Sequence, residues 1–316
     1  MSPPLFSAVC PAFNAEETIA ATITSVRGQS VEDLELIIVD DGSTDATAEI
    51  IDAHAAQDPR IKPMRQRNGG TAAARNTGVA AASGRFVSLI DNDDVWLPTY
   101  LEAVAAAFAS APGAGLAFAE AWTFNDRLLR VHRLTTLNDL PPFAPALGPE
   151  QLLTALLQTN FVAASGATAA REALQAAGPF EPAISGSDDW DMWLRIAAAG
   201  YGAVRAGETP LVILRDSSSQ QSRNRLQMLS AAELTVSRAR ERAAPGSAAD
   251  RAAAAYIERL QPELAHLRRR SATAWLRPKA IAIRNRLLRN RNWRAAPAEV
   301  LAAMREPGDR VDPGGG

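Results

Sequence analysis

Three clusters of acidic residues are the features of this sequence best suited to chemistry. Asp40 and Asp41 follow one apolar run, and residues 91–94 (DNDD) follow another. Carboxylates just beyond buried strands lie at the sheet edge where α/β proteins bind ligands. In an extended segment, Asp91 and Asp93 would lie on one side of the chain and suit a divalent cation shared with substrate phosphates. The alternative interpretation is that these residues only form turns or cap helices, where Asp is common.

The third acidic cluster, residues 188–191 (DDWD), precedes a stretch with helical periodicity. Helix capping by Asp188 or Asp189 is the simpler interpretation, because Asp is a favoured N-cap residue. Crowded carboxylates also raise one another's pKa, which brings one of them into the range in which a general base works. Since the chain already carries a metal-competent pair, one of Asp188 and Asp189 is also a candidate base.

The elements that must position these clusters alternate between apolar runs and helix-like segments. This alternation predicts a parallel α/β sheet that binds its ligands at the carboxyl ends of the strands. Strands are predicted at residues 6–10, 34–39, 86–90, 116–124 and 211–215, and helices at 16–27, 44–56, 71–82, 99–110, 151–158 and 189–199. Ser43 or Thr44 is expected to cap the second helix, and residues 141–149 are expected to form a loop.

The composition excludes several classes of protein. Of the 316 residues, 47% are hydrophobic and 22% are charged, which is typical of a globular chain and excludes a collagenous or largely disordered one. The single cysteine, Cys10, cannot form an internal disulfide, and the three histidines lie far apart in the sequence. A His/Cys zinc site therefore has almost no ligands available, and a bound metal would need oxygen ligands.

The sequence also lacks targeting and common nucleotide-binding signals. It shows no secretory leader and no apolar stretch long enough to span a bilayer, so we expect a cytoplasmic protein without a transmembrane helix. No dinucleotide-binding Gly-x-Gly-x-x-Gly motif follows the first strand, and no P-loop or Gly-x-Ser-x-Gly motif occurs. These absences disfavour dehydrogenases, P-loop enzymes and serine hydrolases.

Several short motifs occur in the order and spacing of the family 2 glycosyltransferases. They are PAFN at 11–14, VDDGSTD at 39–45, NGG at 68–70 with ARNTG at 74–78, SG at 83–84, DNDD at 91–94 with Pro98, and DDWDMWLR at 188–195. The chain resembles this family over about residues 5–215. The resemblance implies a Rossmann-like glycosyltransferase A-type fold, with a mixed, mainly parallel sheet flanked by helices.

The resemblance further implies a domain organisation. Residues 1–216 would form the catalytic domain, with a nucleotide-sugar-binding half at about 1–98 and an acceptor-binding half at about 99–216. Beyond the reach of the resemblance, helical periodicity predicts a helical, Arg-rich region at 217–306, and composition predicts a disordered tail at 307–316.

Roles for individual residues also follow from the resemblance. The nucleotide-binding residues would be Pro11, Ala12, Phe13, Asn14, Asp40, Asp41, Arg75, Asn76, Asp91 and Asn92. Among these, Asp41 would accept a hydrogen bond from the imide of the base, and Phe13 would lie near the ring. Asp93, with Asp91, would bind the Mn²⁺ or Mg²⁺ ion that bridges the diphosphate.

Catalysis is assigned in the same way. Asp189, with Asp188 beside it, would take the proton from the acceptor hydroxyl in an inverting single displacement. The donor would be a nucleotide diphosphate sugar, a UDP-sugar by default, and the acceptor a carbohydrate or lipid-linked molecule in cell-surface polysaccharide or glycolipid synthesis. Two departures from the family pattern stand out: Asp188 replaces the usual Glu, and no His follows the last strand near residues 214–217.

Two other functions remain open at this point. A catalytically silent nucleotide-sugar-binding or scaffold protein could keep the same fold, although Asp41, Asp93 and Asp189 are all retained. A sugar nucleotidyltransferase would also share the scaffold and the metal. We would then expect a Gly-rich phosphate loop after the first strand, where this chain has Pro11-Ala12-Phe13.

The charge distribution singles out the C-terminal region. Residues 1–216 carry 14 Lys and Arg against 26 Asp and Glu, whereas residues 217–316 carry 19 against 9. Residues 264–298 contain ten Arg and Lys and no acidic residue. On a helical net this segment has an apolar stripe bordered by arginines, with Trp275 and Trp293 near its ends, as in helices that lie in the plane of an anionic membrane. Packing against the acidic half of the chain is the alternative, and no nucleic acid is expected because nothing in the segment suggests base recognition.

Overall fold

The fold is built on a large mixed sheet. The computed structural model describes residues 3–125, 130–133, 146–184, 186–216 and 224–289. The strands are β1 (Phe6–Ala12), β2 (Leu34–Asp40), β3 (Ile61–Arg65), β4 (Phe86–Leu89), β5 (Val95–Trp96), β6 (Ala114–Phe118), β7 (Ala121–Asn125), β8 (Arg130–Arg133), β9 (Ala146–Leu147), β10 (Ala167–Ala170), β11 (Gly202–Arg205) and β12 (Val212–Asp216). Eight of them form the large sheet in the order β3-β2-β1-β4-β10-β6-β11-β9, in which β9 and β10 run antiparallel to their neighbours.

The structure describes nine α-helices, of which seven are interspersed with the strands along the chain and two come after the last strand. They are α1 (Ile19–Arg27), α2 (Thr47–Ala55), α3 (Thr71–Ala81), α4 (Tyr100–Ser110), α5 (Pro149–Gln158), α6 (Arg171–Ala177), α7 (Asp188–Ala198), α8 (Arg225–Arg242) and α9 (Ala248–Arg289). The predicted mixed, mainly parallel sheet with flanking helices is confirmed, as is the helical C-terminal region. The chain divides into two compact units, residues 1–258 and 259–316, so α8 belongs to the same unit as the sheet. The proposed domain boundary at residue 216 stays a prediction.

The segment predicted as one strand at 116–124 is two strands in two sheets, so that prediction was wrong. The chain leaves the large sheet after Phe118 and enters a four-stranded sheet, in the order β5-β12-β7-β8, at Ala121. Between them Glu120 is buried and pairs with Arg205 at 2.9 Å. The mainly apolar pattern of residues 116–124 does not reveal this change of sheet, because it continues across the point where the chain passes from one sheet to the other.

Other differences concern helix starts and short strands. The second helix begins at Thr47 after Ala46, so neither Ser43 nor Thr44 caps it. Strands β3, β10 and β11 were not predicted, because each is short and has few of the residues that favour strands. Helix α6 was not predicted either; its seven residues are helix formers but span only two turns. Of the expected loop at 141–149, residues 141–145 lie outside the described residues, as does the expected tail, and the rest forms β9 and the start of α5.

Close packing of α3 on β1 fixes the position of the site described below. A Cβ atom at Gly78 of α3 would lie 2.4 Å from Cγ1 of Val9, so only glycine allows this approach. Arg75 lies about one turn before Gly78, which brings its side chain to the carboxyl ends of the strands. Within the described residues, no helix combines the length and the apolar character required to cross a bilayer.

Candidate active site

The carboxyl ends of β1, β2 and β4 bring the acidic motifs together. Ala12 of β1 pairs with Asp40 of β2, and β4 lies on the other side of β1, so residues 11–14, 40–41 and 91–94 meet at one edge of the sheet. Residues 91–94 are not extended as expected but form a turn, in which Asp94 N donates to the carbonyl oxygen of Asp91 at 3.2 Å. Spacing along an extended chain therefore does not explain how Asp91 and Asp93 are arranged.

A buried arginine joins this edge to the start of α7. Arg75 is 4% exposed; its Nη2 donates to Oδ1 of Asp91 at 2.7 Å, and its Nη1 donates to Oδ2 of Asp188 at 2.6 Å. Burial by itself would lower the pKa of Arg75, but the charges of Asp91, Asp188 and Asp189 outweigh it and raise the pKa, so the guanidinium stays charged. Within the described residues, its buried Nε has no hydrogen-bond partner.

Asp189 lies next to this bridge in the first turn of α7. Burial raises its pKa, the charge of Asp188 raises it further, and Arg75 opposes both, so that the pKa is about 7. Its Oδ1 accepts a hydrogen bond from Trp190 N at 2.7 Å. The N-cap is Ser187, so the alternative that Asp188 or Asp189 serves as the helix cap does not hold. A carboxyl group with this pKa can exchange a proton near neutral pH.

Asp41 organises the loop before α3. Its Oδ1 accepts hydrogen bonds from Gln66 Nε2 at 2.7 Å and Gly69 N at 2.9 Å, and its Oδ2 accepts one from Gly70 N at 2.8 Å. A carboxylate offers about four acceptor positions, so these three bonds leave one on Oδ2. Gly70 has a φ of +85°, a conformation in which glycine is favoured.

The end of β1 is tied to the loop after β2. Asn14, with a φ of +46°, accepts a hydrogen bond from Thr44 N through its Oδ1 at 2.8 Å, and its own N donates to Ser43 Oγ at 3.0 Å. Asp40 accepts from Ser43 N at 3.0 Å. These bonds leave Phe13 45% exposed, which is unusual for an aromatic ring and places a flat apolar surface at the edge of the sheet.

Asn76 and Asn92, which were predicted to bind the nucleotide, form hydrogen bonds to backbone groups. Asn76 exchanges two hydrogen bonds with the backbone of Phe180, as donor at 2.8 Å and as acceptor at 2.7 Å, and so fixes the segment that leads into α7. Asn92 donates to the carbonyl oxygen of Pro11 at 3.3 Å and joins the turn at 91–94 to β1, whose last residues are Pro11 and Ala12. The nucleotide-binding assignments of these residues stay predictions.

The turn at 91–94 rests on Asp94. Its Oδ2 accepts a hydrogen bond from Ser165 Oγ, which itself accepts from Asp91 N at 2.9 Å, and its Oδ1 accepts from Arg215 N at 2.9 Å. Burial raises the pKa of Asp94 well above its usual range, and the charges of Asp91 and Asp93 add to this effect. The carboxyl groups of Asp91, Asp93 and Asp94 are crowded together, and a bound cation would reduce the electrostatic repulsion among them.

This arrangement fits a divalent ion that takes part of its ligands from outside the protein. Asp91 and Asp93 are partly exposed, and among the described residues no group of three His, Cys, Asp or Glu side chains could hold a metal. A hard ion such as Mg²⁺ or Mn²⁺ is commonly bound by one or two carboxylates and takes its other ligands from phosphates and water. The donor set fits such an ion.

Sequence reasoning missed the residues that support the site. Ser165, Gln66 and Phe180 hold Asp94, Asp41 and Asn76 in place, yet none belongs to a chemical motif. The sequence identified Asp94 only as the last residue of the DNDD motif at 91–94. The NGG motif at 68–70 was the one available signal, since two backbone amides there bind Asp41.

Comparison with known proteins finds relatives among the glycosyltransferases. A glycosyltransferase of Nostoc sp. (alr2836, described as uncharacterized) is 32% identical over 193 residues, covering 59% of this chain and 56% of that protein. Escherichia coli chondroitin synthase is 30% identical over 197 residues, covering 62% of this chain and 27% of that protein. The chain therefore spans between about a quarter and just over half of the length of these relatives.

Solved structures confirm the glycosyltransferase A-type fold. The Pyrobaculum calidifontis mannosyltransferase PcManGT, in complex with GDP-Man and Mn²⁺, matches with a TM-score of 0.58 at 20% identity, covering 96% of this chain and 86% of that one. Staphylococcus aureus TarS 1-349, in complex with UDP-GlcNAc, matches with a TM-score of 0.58 at 17% identity, covering 75% and 66%. The sequence profile described as Glycosyl transferase family 2 matches residues 7–175, more than half of the chain. The chain therefore belongs to glycosyltransferase family 2.

Proposed function

We propose that this protein transfers a sugar from a nucleoside diphosphate sugar to an acceptor hydroxyl, with inversion at the anomeric carbon. The observation that carries the proposal is the carboxyl group of Asp189, whose pKa of about 7 suits a general base, held next to a charged bridge to the donor-side carboxylate Asp91. An acceptor hydroxyl is a weak nucleophile until a base takes its proton. Asp189 is that base.

The neighbouring carboxyl group has a different task. Asp188 is 4% exposed and is bound to Arg75 at 2.6 Å, so it is poorly placed to receive a proton from a substrate. We therefore propose that Asp188 holds Arg75 in position and is not the base. A single carboxylate that accepts the proton of the acceptor is sufficient for a single displacement, which supports inversion.

The donor side must bind a diphosphate and stabilise it as it leaves. Asp93 and Asp91 would hold Mn²⁺ or Mg²⁺ there, and the ion would supply positive charge against the growing negative charge of the leaving diphosphate. Arg75 holds Asp91 in position and keeps a positive charge near the reacting centre.

The nucleoside would bind between β1 and the loop before α3. The exposed ring of Phe13 offers a stacking surface, and the remaining acceptor position on Asp41 can receive an N–H of the base. Pro11, Ala12, Asn14 and Asp40 shape this edge. UDP is the default nucleotide, and the similar structures with UDP-GlcNAc and GDP-Man show that proteins of this fold bind nucleotide sugars.

Two rival functions fit the site less well. A silent scaffold has no use for a carboxyl group with its pKa raised to about 7, because that shift costs folding stability at neutral pH. A nucleotidyltransferase would need a phosphate-binding loop after β1, where the chain has Pro11-Ala12-Phe13. Similarity to a chondroitin synthase supports a carbohydrate or lipid-linked acceptor in cell-surface polysaccharide or glycolipid synthesis.

We also propose that the protein acts in the cytoplasm at the membrane face. The basic segment at 264–298 lies partly within α9, which continues to Arg289, and ten cations with no acidic residue favour contact with anionic lipid. Side chains beyond residue 271, with the stripe and tryptophans of this segment, lie outside the described residues.

The first test concerns the donor and the metal. Nucleoside diphosphates and nucleotide sugars, each with and without Mn²⁺, should be compared by thermal shift on the wild type and on Asp93→Asn. One ligand at 100 times its dissociation constant should stabilise the wild type by about 2.7 kcal/mol with Mn²⁺ and much less without it. Asp93→Asn should lose this effect, whereas Asp52→Asn, on α2 with its carboxylate 52% exposed, should keep it. Stabilisation that is independent of both Mn²⁺ and Asp93 would contradict the metal assignment.

The second test concerns the base. The ratio kcat/KM should rise with pH through about 7, because Asp189 must be ionised, and Asp189→Asn should lose about 100-fold or more in kcat. Thermal stability gives a check that needs no substrate. A raised pKa stabilises the folded state at low pH, and this contribution is lost as pH rises through the folded-state value, so Asp189→Asn should become progressively more stable than the wild type between pH 4 and pH 8. A stability difference that does not change with pH would exclude the raised pKa.

The third test concerns the membrane. The full-length protein should co-sediment with vesicles that contain anionic lipid and not with neutral ones. A triple variant, Arg284→Glu, Arg286→Glu and Arg291→Glu, should lose this binding, because each basic residue near an anionic surface contributes about 1 kcal/mol. Equal binding to both kinds of vesicle, or no loss in the variant, would leave packing against protein as the role of this segment.

A further inference from the structure

Helix α8 contacts the segment that leads into the proposed base, although it carries none of the motifs. Three of its residues, Met228, Thr235 and Arg238, reach residues 181–187. Arg238 Nη1 lies 3.3 Å from Oε2 of Glu181. A Cβ atom at Gly186 would lie 2.9 Å from Sδ of Met228, so that side chain lies directly against the backbone there. The spacing of the three residues in α8 places them on one face of the helix.

The contact of Thr235 is the most informative of the three. Thr235 is fully buried, and its Oγ1 donates a hydrogen bond to Oγ of Ser187 at 3.2 Å, a residue that is itself 4% exposed. Ser187 is the N-cap of α7, where a serine oxygen usually accepts from a backbone N–H of the first turn. Its side chain makes no such bond to α7. The cap hydroxyl is therefore directed to α8, and α8 takes part in fixing where α7 begins.

The start of α7 matters because Asp188 and Asp189 are its first two residues. Asn76 holds the preceding segment from the α3 side through Phe180, and Arg75 holds Asp188 itself. Thr235 supplies a further restraint on this segment, from helix α8. Movement of Ser187 would move Asp189 relative to the acceptor.

We propose that Thr235 is a positioning residue for Asp189, acting through Ser187, and that α8 is part of the catalytic unit. This inference rests on the proposed function, in which Asp189 is the base. It extends the catalytic unit past residue 216 to include α8, in agreement with the compact unit formed by residues 1–258.

The test compares Thr235→Val, which keeps the shape of the side chain and removes its hydroxyl, with Thr235→Ser, which keeps the hydroxyl. Val236→Ala is the matched control, because Val236 is also fully buried in α8 and its truncation loosens packing without removing a hydroxyl. Release of nucleoside diphosphate from a panel of UDP- and GDP-sugars gives kcat and KM. Thr235→Val should lower kcat about tenfold with the KM for the donor unchanged, since a displacement of about 1 Å can cost ~100-fold. Thr235→Ser should restore most of kcat.

Amide hydrogen exchange provides a second readout that needs no substrate. Thr235→Val should speed exchange in residues 186–191, whereas Val236→Ala should speed it mainly within α8. Wild-type kcat in Thr235→Val would overturn the positioning role, and unchanged exchange in residues 186–191 would overturn the restraint on the start of α7. A Thr235→Ser variant as impaired as the Val variant would also overturn the inference.

Asp189→Asn separates this inference from the proposed function. If Asp189→Asn loses turnover and Thr235→Val does not, only the positioning role fails. If no sugar nucleotide is turned over by the wild type, or if Asp189→Asn turns over normally, the proposed function fails, and hydrogen exchange still decides whether Thr235 holds the start of α7.

Discussion

The buried guanidinium of Arg75 is the interaction on which the site depends. It binds Asp91, at the carboxyl end of the sheet, and Asp188, at the start of α7, with one nitrogen each. A charge this deeply buried is tolerated only when opposite charges compensate it, and removal of one partner from such a group typically costs about 3–5 kcal/mol. The ion pairs therefore oblige β4 and α7 to lie together, although the two elements are about 100 residues apart in the sequence.

The rest of the unit keeps that guanidinium in place. Gly78 lets α3 approach β1, Asn76 fixes the segment before α7, and Asp41 holds the loop from which α3 begins. Asp94 and Ser165 fix the turn that presents Asp91. Asn76, Asp41 and Ser165 each form hydrogen bonds to backbone groups, so the geometry of the site is set by the fold and not only by its acidic side chains.

The sequence was informative where chemistry and local pattern coincide. Apolar runs followed by acidic residues located β2 and β4 and the two clusters at their ends, and a third acidic cluster marked the start of α7. The same reasoning failed at residues 91–94, where an alternating pattern suggested an extended chain and the backbone forms a turn. It also could not find the partners of Arg75 or of Thr235, because contacts between residues distant in the chain leave no trace in local spacing. The change of sheet at 119–120 was missed for a similar reason, since a mainly apolar pattern continues through it and does not show which strands each half pairs with.

Substitution of Arg75 by lysine measures the central claim most directly. Lysine keeps the positive charge but cannot bind two carboxylates in the fixed geometry of a guanidinium. If one buried group organises both the donor side and the base, Arg75→Lys should weaken binding of the nucleoside diphosphate with Mn²⁺ and also lower kcat at saturating donor, while circular dichroism shows a folded protein. A folded variant that loses donor affinity alone, with kcat unchanged, would show that Arg75 serves the donor side only and would contradict the account.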